Sequence, residues 1–219
     1  SAIHDSVTLL TELGIEADGH LLDVADQDSI NAFSEHQKNN PISILINNAG
    51  LQHVSKLEDF PPEKWSFLIN VMLVGPSMLS RALLPTMRDQ GFGRIINIGS
   101  IHSLQASPFK SAYVAAKHGL LGFSKTLALE TADTDITVNT ICPAYVKTPL
   151  VEKQISDQAN SHGISEEEVI KNIMLKPMPK KAFIELEEIA SMALFLSSEL
   201  AKNITGQAIA IDGGWTSST

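Results

Sequence analysis

Arg94-Ile95-Ile96-Asn97-Ile98-Gly99-Ser100 is the stretch on which the fold turns. Its apolar residues do not alternate cleanly with polar ones, and strands of that kind are covered on both faces, as in parallel sheets flanked by helices. Ile42 to Ile46 upstream, and Ile136 to Cys142 and Gln207 to Ile211 downstream, read the same way, and Gly19 to Val24 is a further short candidate. Between them lie segments of helical period. These are Ser1 to Leu13, Gln27 to Lys38 with Asp26 as N-cap, Pro61 to Arg88, Ser111 to Ala132 and Glu185 to Leu200. Pro61 to Arg88 is expected to bend at Gly75-Pro76, and residues 149–175 are polar and helix-prone. Strand–helix alternation without repeats implies one α/β domain with a doubly wound parallel sheet.

Ligands of such sheets bind beyond the carboxyl ends of the strands. Those ends are Asp23, Asn47 to Gln52, Ser100 to His102 and Pro143 to Thr148. Tyr113 follows Ser100 by thirteen residues and Lys117 follows Tyr113 by four, so the last two share one helix face. A tyrosine ionises near pKa 10, too high for a base at neutral pH, and a neighbouring ammonium favours the phenolate. At 4 Å that attraction amounts to roughly 4 kcal/mol at an effective dielectric of about 20, or at most about three pKa units. The trio suits alcohol oxidation, with Tyr113 taking the hydroxyl proton and Ser100 bonding the developing carbonyl oxygen. No side chain accepts a hydride, so a nicotinamide cofactor is expected. Tyr-x-x-x-Lys on its own is equally an ordinary amphipathic pair.

The wider set removes that ambiguity. Asp23-Val24, Asn47-Asn48-Ala49-Gly50, Asn70, Ser100, Tyr113-x-x-x-Lys117, Asn139, Pro143 and Asp212-Gly213-Gly214 occur in one order along essentially all 219 residues. In this the chain resembles the short-chain dehydrogenase/reductase family, whose fold is Rossmann-like. The resemblance implies a catalytic tetrad of Asn70, Ser100, Tyr113 and Lys117, with Asn70 holding a water of the proton relay. It implies that Asp23 and Val24 face the adenine, and that Asn48, Ala49, Gly50 and Val71 line the cofactor cleft. Tyr113 and Lys117 would also meet the cofactor, and Pro143, Val146 and Thr148 would seat the nicotinamide. Ala144 departs from the glycine that usually follows the proline. Asn47 and Gly50 could equally shape a turn, Asn139 tie strands together, and Gly213-Gly214 serve the fold alone.

No glycine-rich phosphate turn precedes Asp23, although the family carries one after its first strand. The reading is of a chain lacking about one βαβ unit, roughly 40 residues. A sheet with a gap, open strand edges, poor cofactor binding and uncertain folding are the expectations.

Gln52, His102, Lys110 and Gln154 form an unusual polar set around the tetrad, able to clamp a small carboxylate, with Trp215 walling off the methyl end. Taken singly, each also reads as an ordinary loop, surface or packing residue. Together with Ser103-Leu-Gln-Ala-Ser-Pro-Phe-Lys-Ser-Ala-Tyr113 and Thr148-Pro-Leu-Val-Glu-Lys-Gln154, they resemble bacterial D-3-hydroxybutyrate dehydrogenases. That likeness implies NAD as cofactor, a small hydroxy acid as substrate, a lid over 148–183 and a homotetramer paired through helices carrying Leu120, Leu121 and Phe123. The alternatives are a 3-oxoacyl thioester reductase of the same family and a non-catalytic fragment. A Ser100/His102 hydrolase pair lacks an orienting carboxylate and a glycine-flanked nucleophile turn.

Composition narrows the rest. Lys and Arg number 16 against 25 Asp and Glu, a net charge of −9, which argues against nucleic-acid and anionic-membrane partners. The one cysteine, Cys142, has no internal disulfide partner, and no Cys/His spacing suits a metal. No continuous apolar run reaches the length of a bilayer span and no secretory signal is visible, so a cytoplasmic enzyme is expected.

Overall fold

The computed structural model describes residues 2–218, without the side chains at positions 149, 150, 153, 157, 161 and 162. The elements run α1 (Ala2–Glu12), α2 (Gln27–His36), β1 (Ile44–Asn47), α3 (Pro62–Ile69), α4 (Gly75–Gln90), β2 (Gly93–Ile98), α5 (Ser111–Glu130), β3 (Ile136–Pro143), α6 (Pro149–His162), α7 (Glu166–Val169), α8 (Leu186–Ser197) and β4 (Ala208–Ile211). The four strands are parallel and lie in chain order, β1-β2-β3-β4. Helices α4 and α5 cover one face, packing Leu79, Leu83, Met87 and Leu127 against Ile95 and Val138. Helix α8 covers the other with Ala193 and Leu196 against Ile96 and Ile141. Every residue of β3 is buried, as continuous apolar strands require.

Asp26 caps α2 as expected, its carboxylate accepting the Asp28 N–H. Gly19–Val24 is not a strand. Among the described residues no strand runs beside it, and its polar groups close locally. The Asp23 N–H bonds Ser29 Oγ at 2.9 Å and the Asp23 carboxylate accepts the Ala25 N–H at 2.9 Å. Leu21 is left 89% exposed. The sheet has no internal gap either. Its opening is at the edge, where β1 pairs with β2 alone and leaves Ile44 43% and Ile46 47% exposed.

The long helical run changes its winding just before Gly75. Residues Asn70–Val74 form a π turn closed by the Gly75 N–H on the Asn70 carbonyl, the widened turn that recurs at functional sites. Gly75 is a packing requirement, because a Cβ there would stand 2.3 Å from the Val24 carbonyl oxygen. By length and composition the run Pro62–Gln90 could cross a bilayer, although it holds no unbroken apolar stretch of that length. In this fold it is a core helix, with Leu68, Met72, Leu79, Leu83 and Met87 packed inside.

A buried polar ladder sets the register of α5 on the sheet. Asn47 Nδ2 donates to Asn97 Oδ1 (2.8 Å), Asn97 Nδ2 donates to Ser124 Oγ (2.8 Å), and Thr140 Oγ1 donates to the same Ser124 (3.0 Å). Three strands thus hold one helix by bonds that are costly to break in the core. Asn139 ties β3 to the segment entering β4, donating to the Ile204 carbonyl and accepting the Gln207 N–H.

Candidate active site

Strand β2 delivers Ser100. The chain there turns into a short 3-10 segment, Ile101–Ser103, with Ser100 as its cap. Ser100 Oγ accepts the His102 N–H at 3.1 Å and Ser103 Oγ accepts the Ser100 N–H at 3.2 Å, which fixes the serine in place. Helix α5 sends Tyr113 and Lys117 into the same cavity, one turn apart. Tyr113 shares a hydrogen bond with Ser100, while burial pushes its hydroxyl pKa up. Lys117 Nζ donates to the Ile98 carbonyl at 2.6 Å and lies 5.8 Å from the Tyr113 ring centroid. Burial lowers the Lys117 pKa to about 8.

Burial outweighs the lowering by the Ser100 hydrogen bond at Tyr113. Lys117, itself largely desolvated, bonds a strand carbonyl.

The cavity encloses about 240 Å³. One part of it gathers Lys110, His102 and Gln52. Lys110 Nζ lies 3.4 Å from His102 Nε2, and His102 Nδ1 lies 3.4 Å from the Gln105 carbonyl. Burial and the Lys110 charge hold the His102 pKa at about 4, so the ring is neutral. The bonding then assigns Nδ1 the proton and Nε2 the role of acceptor from Lys110. Lys110 is shifted down by burial. Gln52 Nε2 is buried with no hydrogen-bond partner, an amide donor that only a ligand or water can satisfy. Gln154 of α6 also lines the space.

Of the residues singled out in the sequence, the fold brings Asn48, Gly50, Gln52, Ser100, His102, Lys110, Tyr113, Lys117, Pro143, Val146 and Gln154 to this one cavity. Others stand apart from its lining. Asp23 is exposed and Val24 half-buried where the chain passes α4, and Ala49 is exposed beside the open sheet edge. Asn70 is exposed at the head of the π turn, whereas Val71 is buried against the cluster that includes Val24 and Tyr113. Thr148 caps α6, accepting the Val151 N–H at 3.3 Å. Trp215 stands one layer behind the wall, edge-on to His102 and stacked on Tyr145. It is held there by the Asp212 carboxylate, which accepts the Gly214 and Thr216 N–H groups at 2.8 Å. The residue the sequence reading missed is Tyr145, which takes the wall position expected of Trp215. It lies within the Pro143–Thr148 strand end already marked, so the signal was its position alone.

The donor set fits a nicotinamide cofactor: a buried lysine at a strand carbonyl, an exposed Asn48-Ala49-Gly50 loop at the sheet edge, and Pro143 with Val146 beside the tyrosine. Among the described residues no group of three or more His, Cys, Asp or Glu side chains could hold a metal.

Residues 4–216 match the family model described as Enoyl-(Acyl carrier protein) reductase. The chain is 57% identical over 173 residues to a D-beta-hydroxybutyrate dehydrogenase of Rhizobium meliloti, covering 79% of this chain and 67% of that protein. The chain belongs to the short-chain dehydrogenase/reductase family. A second member of this family, a D-beta-hydroxybutyrate dehydrogenase of Cupriavidus necator, is 48% identical over 172 residues, covering 78% of this chain and 67% of that one. A crystal structure of an actinorhodin polyketide ketoreductase with NADPH superposes with a TM-score of 0.91. It is 31% identical and covers 97% of this chain and 83% of that one. The protein is therefore an oxidoreductase of a family that uses a nicotinamide cofactor.

Proposed function

We propose that the protein catalyses the reversible NAD-linked oxidation of D-3-hydroxybutyrate to acetoacetate. The observation that carries this reading is the anion-binding part of the cavity, where Lys110, neutral His102 and the unpartnered Gln52 amide stand beside Ser100 and Tyr113. The likeness to two named D-beta-hydroxybutyrate dehydrogenases supports it.

Lys110, Gln52 and Gln154 grip the substrate carboxylate by charge-assisted and amide hydrogen bonds, with His102 orienting the lysine. Ser100 donates to the C3 oxygen and strengthens that bond as the carbonyl develops. Tyr113 takes the hydroxyl proton as the C3–H electron pair leaves with its hydrogen. When bound, oxidised NAD would supply the hydride acceptor. Lys117, with its pKa at about 8, can take up and release protons near neutral pH. By the family resemblance Asn70 would hold a water of the proton relay. Lys117, Asn48, Ala49, Gly50, Val71, Pro143, Val146 and Thr148 would hold the cofactor, with Asp23 and Val24 towards its adenine. The segment 148–183 closes over the site as a lid and excludes water. Its core is Ile155, Ala159, Val169 and Met174, and its far end is joined to the sheet side by the Val146–Ile184 bridge.

A second groove, between α4 and α5, is apolar with Met78, Leu84 and Phe123. It suits a second copy of the chain in a homotetramer, which light scattering on the purified protein tests.

A 3-oxoacyl thioester is the rival substrate, favoured by the likeness to the polyketide ketoreductase. A substrate panel with both nicotinamide cofactors separates the two. Faster turnover of 3-hydroxybutyrate with NAD is expected. Efficient thioester reduction that survives Lys110→Ala would overturn the reading.

A further inference from the structure

Lys110 stands between two ties that hold the start of α5. On one side the Phe109 carbonyl accepts the Ser55 N–H at 2.9 Å. On the other, the Ser111 hydroxyl accepts the Trp65 Nε1–H at 3.2 Å. The first tie joins the loop that carries Lys110 to the loop that carries Gln52, three residues before Ser55. Lys110 and Gln52 line the same cavity.

Phe109 makes its tie in an uncommon conformation. Its φ is 65°, and among the described residues only Lys181 also has a positive φ without being a glycine. Bulky side chains are rare in that left-handed region, where Cβ crowds a carbonyl oxygen. Pro108 directly before it gives the pattern of a type II turn, whose third residue is ordinarily glycine or asparagine. The ring does not account for the strain, since it is 53% exposed and takes no part in the cavity lining. Strain persists where the surroundings impose it, and it gathers at ligand clamps. What it achieves is visible one residue on. Lys110, non-helical at φ −124° and ψ 34°, brings its Nζ to 3.4 Å from His102 Nε2 and 6.0 Å from the Tyr145 ring centroid. A negative φ at Phe109 would turn the chain about its N–Cα bond, and the Ser55 tie and the reach of Lys110 could not both be kept.

We propose that Phe109 is a positioning residue: its left-handed backbone, tied to Ser55, aims Lys110 into the cavity and sets its place relative to Gln52, so that both meet one substrate carboxylate. The carboxylate rests on the reading of the site as a hydroxy-acid dehydrogenase, whereas the placing of Lys110 is a property of the free protein.

Three substitutions separate backbone from ring. Phe109→Ala removes the ring, Phe109→Asn removes it and suits the left-handed region, and the β-branched Phe109→Val opposes that region. Ser55→Pro deletes the amide donor of the tie and leaves residue 109 unaltered. It carries the test alone should Phe109→Val fail to fold. The readouts are kcat and KM for 3-hydroxybutyrate, and the His102 titration by NMR. Burial first and the Lys110 charge second hold the His102 pKa at about 4, so that ring reports where the ammonium sits. Phe109→Ala and Phe109→Asn should stay within about twofold of the wild-type KM and leave the His102 titration in place. Phe109→Val and Ser55→Pro should raise KM by about tenfold at nearly constant kcat. Both should lift the His102 pKa by about one unit, towards its value in Lys110→Ala. Equal losses in all three Phe109 variants overturn the proposal, because the ring is then what matters. A His102 pKa unchanged in Phe109→Val and Ser55→Pro overturns it as well. A wild type that does not oxidise 3-hydroxybutyrate removes the proposed function, while the His102 titration still decides the placing of Lys110.

Discussion

Replacing Lys117 with methionine should stabilise the fold while abolishing turnover, and the gain should vanish at high pH. Lys117 is 4% exposed, and burial lowers its pKa to about 8 from 10.5. Between those values the unfolded chain binds a proton that the folded chain has released, so wild-type stability rises with pH at about 1.36 kcal/mol per unit. Below about pH 8 the whole cost of burying the charge is present. From pH 7 to pH 10 the wild type should therefore gain about 2–3 kcal/mol over Lys117→Met, which carries no such group. The methionine also leaves the Ile98 carbonyl without its 2.6 Å donor, a loss of about 1 kcal/mol that does not depend on pH. The net expectation is a variant more stable by about 1–2 kcal/mol at pH 7 and slightly less stable at pH 10. Urea unfolding of both proteins at the two pH values measures it. A stability difference that stays constant with pH would refute the argument, because the buried ammonium would then cost nothing.

Four further perturbations have expected outcomes. Tyr113→Phe should lower kcat by about 10²–10⁴ while leaving the cofactor dissociation constant nearly unchanged, read by steady-state kinetics and calorimetry. Lys110→Ala should raise KM for the acid by about 30- to 150-fold. The same change should lift the His102 pKa above about 4, visible in histidine NMR titration, since the neighbouring ammonium helps to hold it down. Gly75→Ala should cost about 1–3 kcal/mol in unfolding free energy, because its methyl would meet the Val24 carbonyl at 2.3 Å. His102, with its folded pKa lowered to about 4 from 6.5, contributes stability that is present above pH 6.5 and lost as pH falls towards 4. Stability measured from pH 7 to 4 should fall less steeply in His102→Gln.

Much of the site could be read before any coordinates. Tyr113 and Lys117 had to share a face because helical spacing allows nothing else, and Ser100 had to join them because it ends a buried parallel strand. The electrostatics could not be read that way. Whether Lys117 aims its ammonium at the phenol or at the Ile98 carbonyl depends on a strand nineteen residues away. The placing of Trp215 behind Tyr145 likewise comes from the Asp212 turn meeting the end of β3.

Local and long-range information thus divide cleanly in this protein. Apolar runs, helical periods and caps are properties of neighbouring residues, and from them follow the α/β class, the element order and the strand ends where chemistry gathers. A strand also needs a partner across space, and here the two levels part company. Gly19–Val24 has a strand-like composition, but among the described residues no strand lies beside it and it is irregular. Pairing, burial and the charge states of Tyr113, Lys117 and His102 arise only when distant segments exclude water from one another, and those the tertiary structure alone decided.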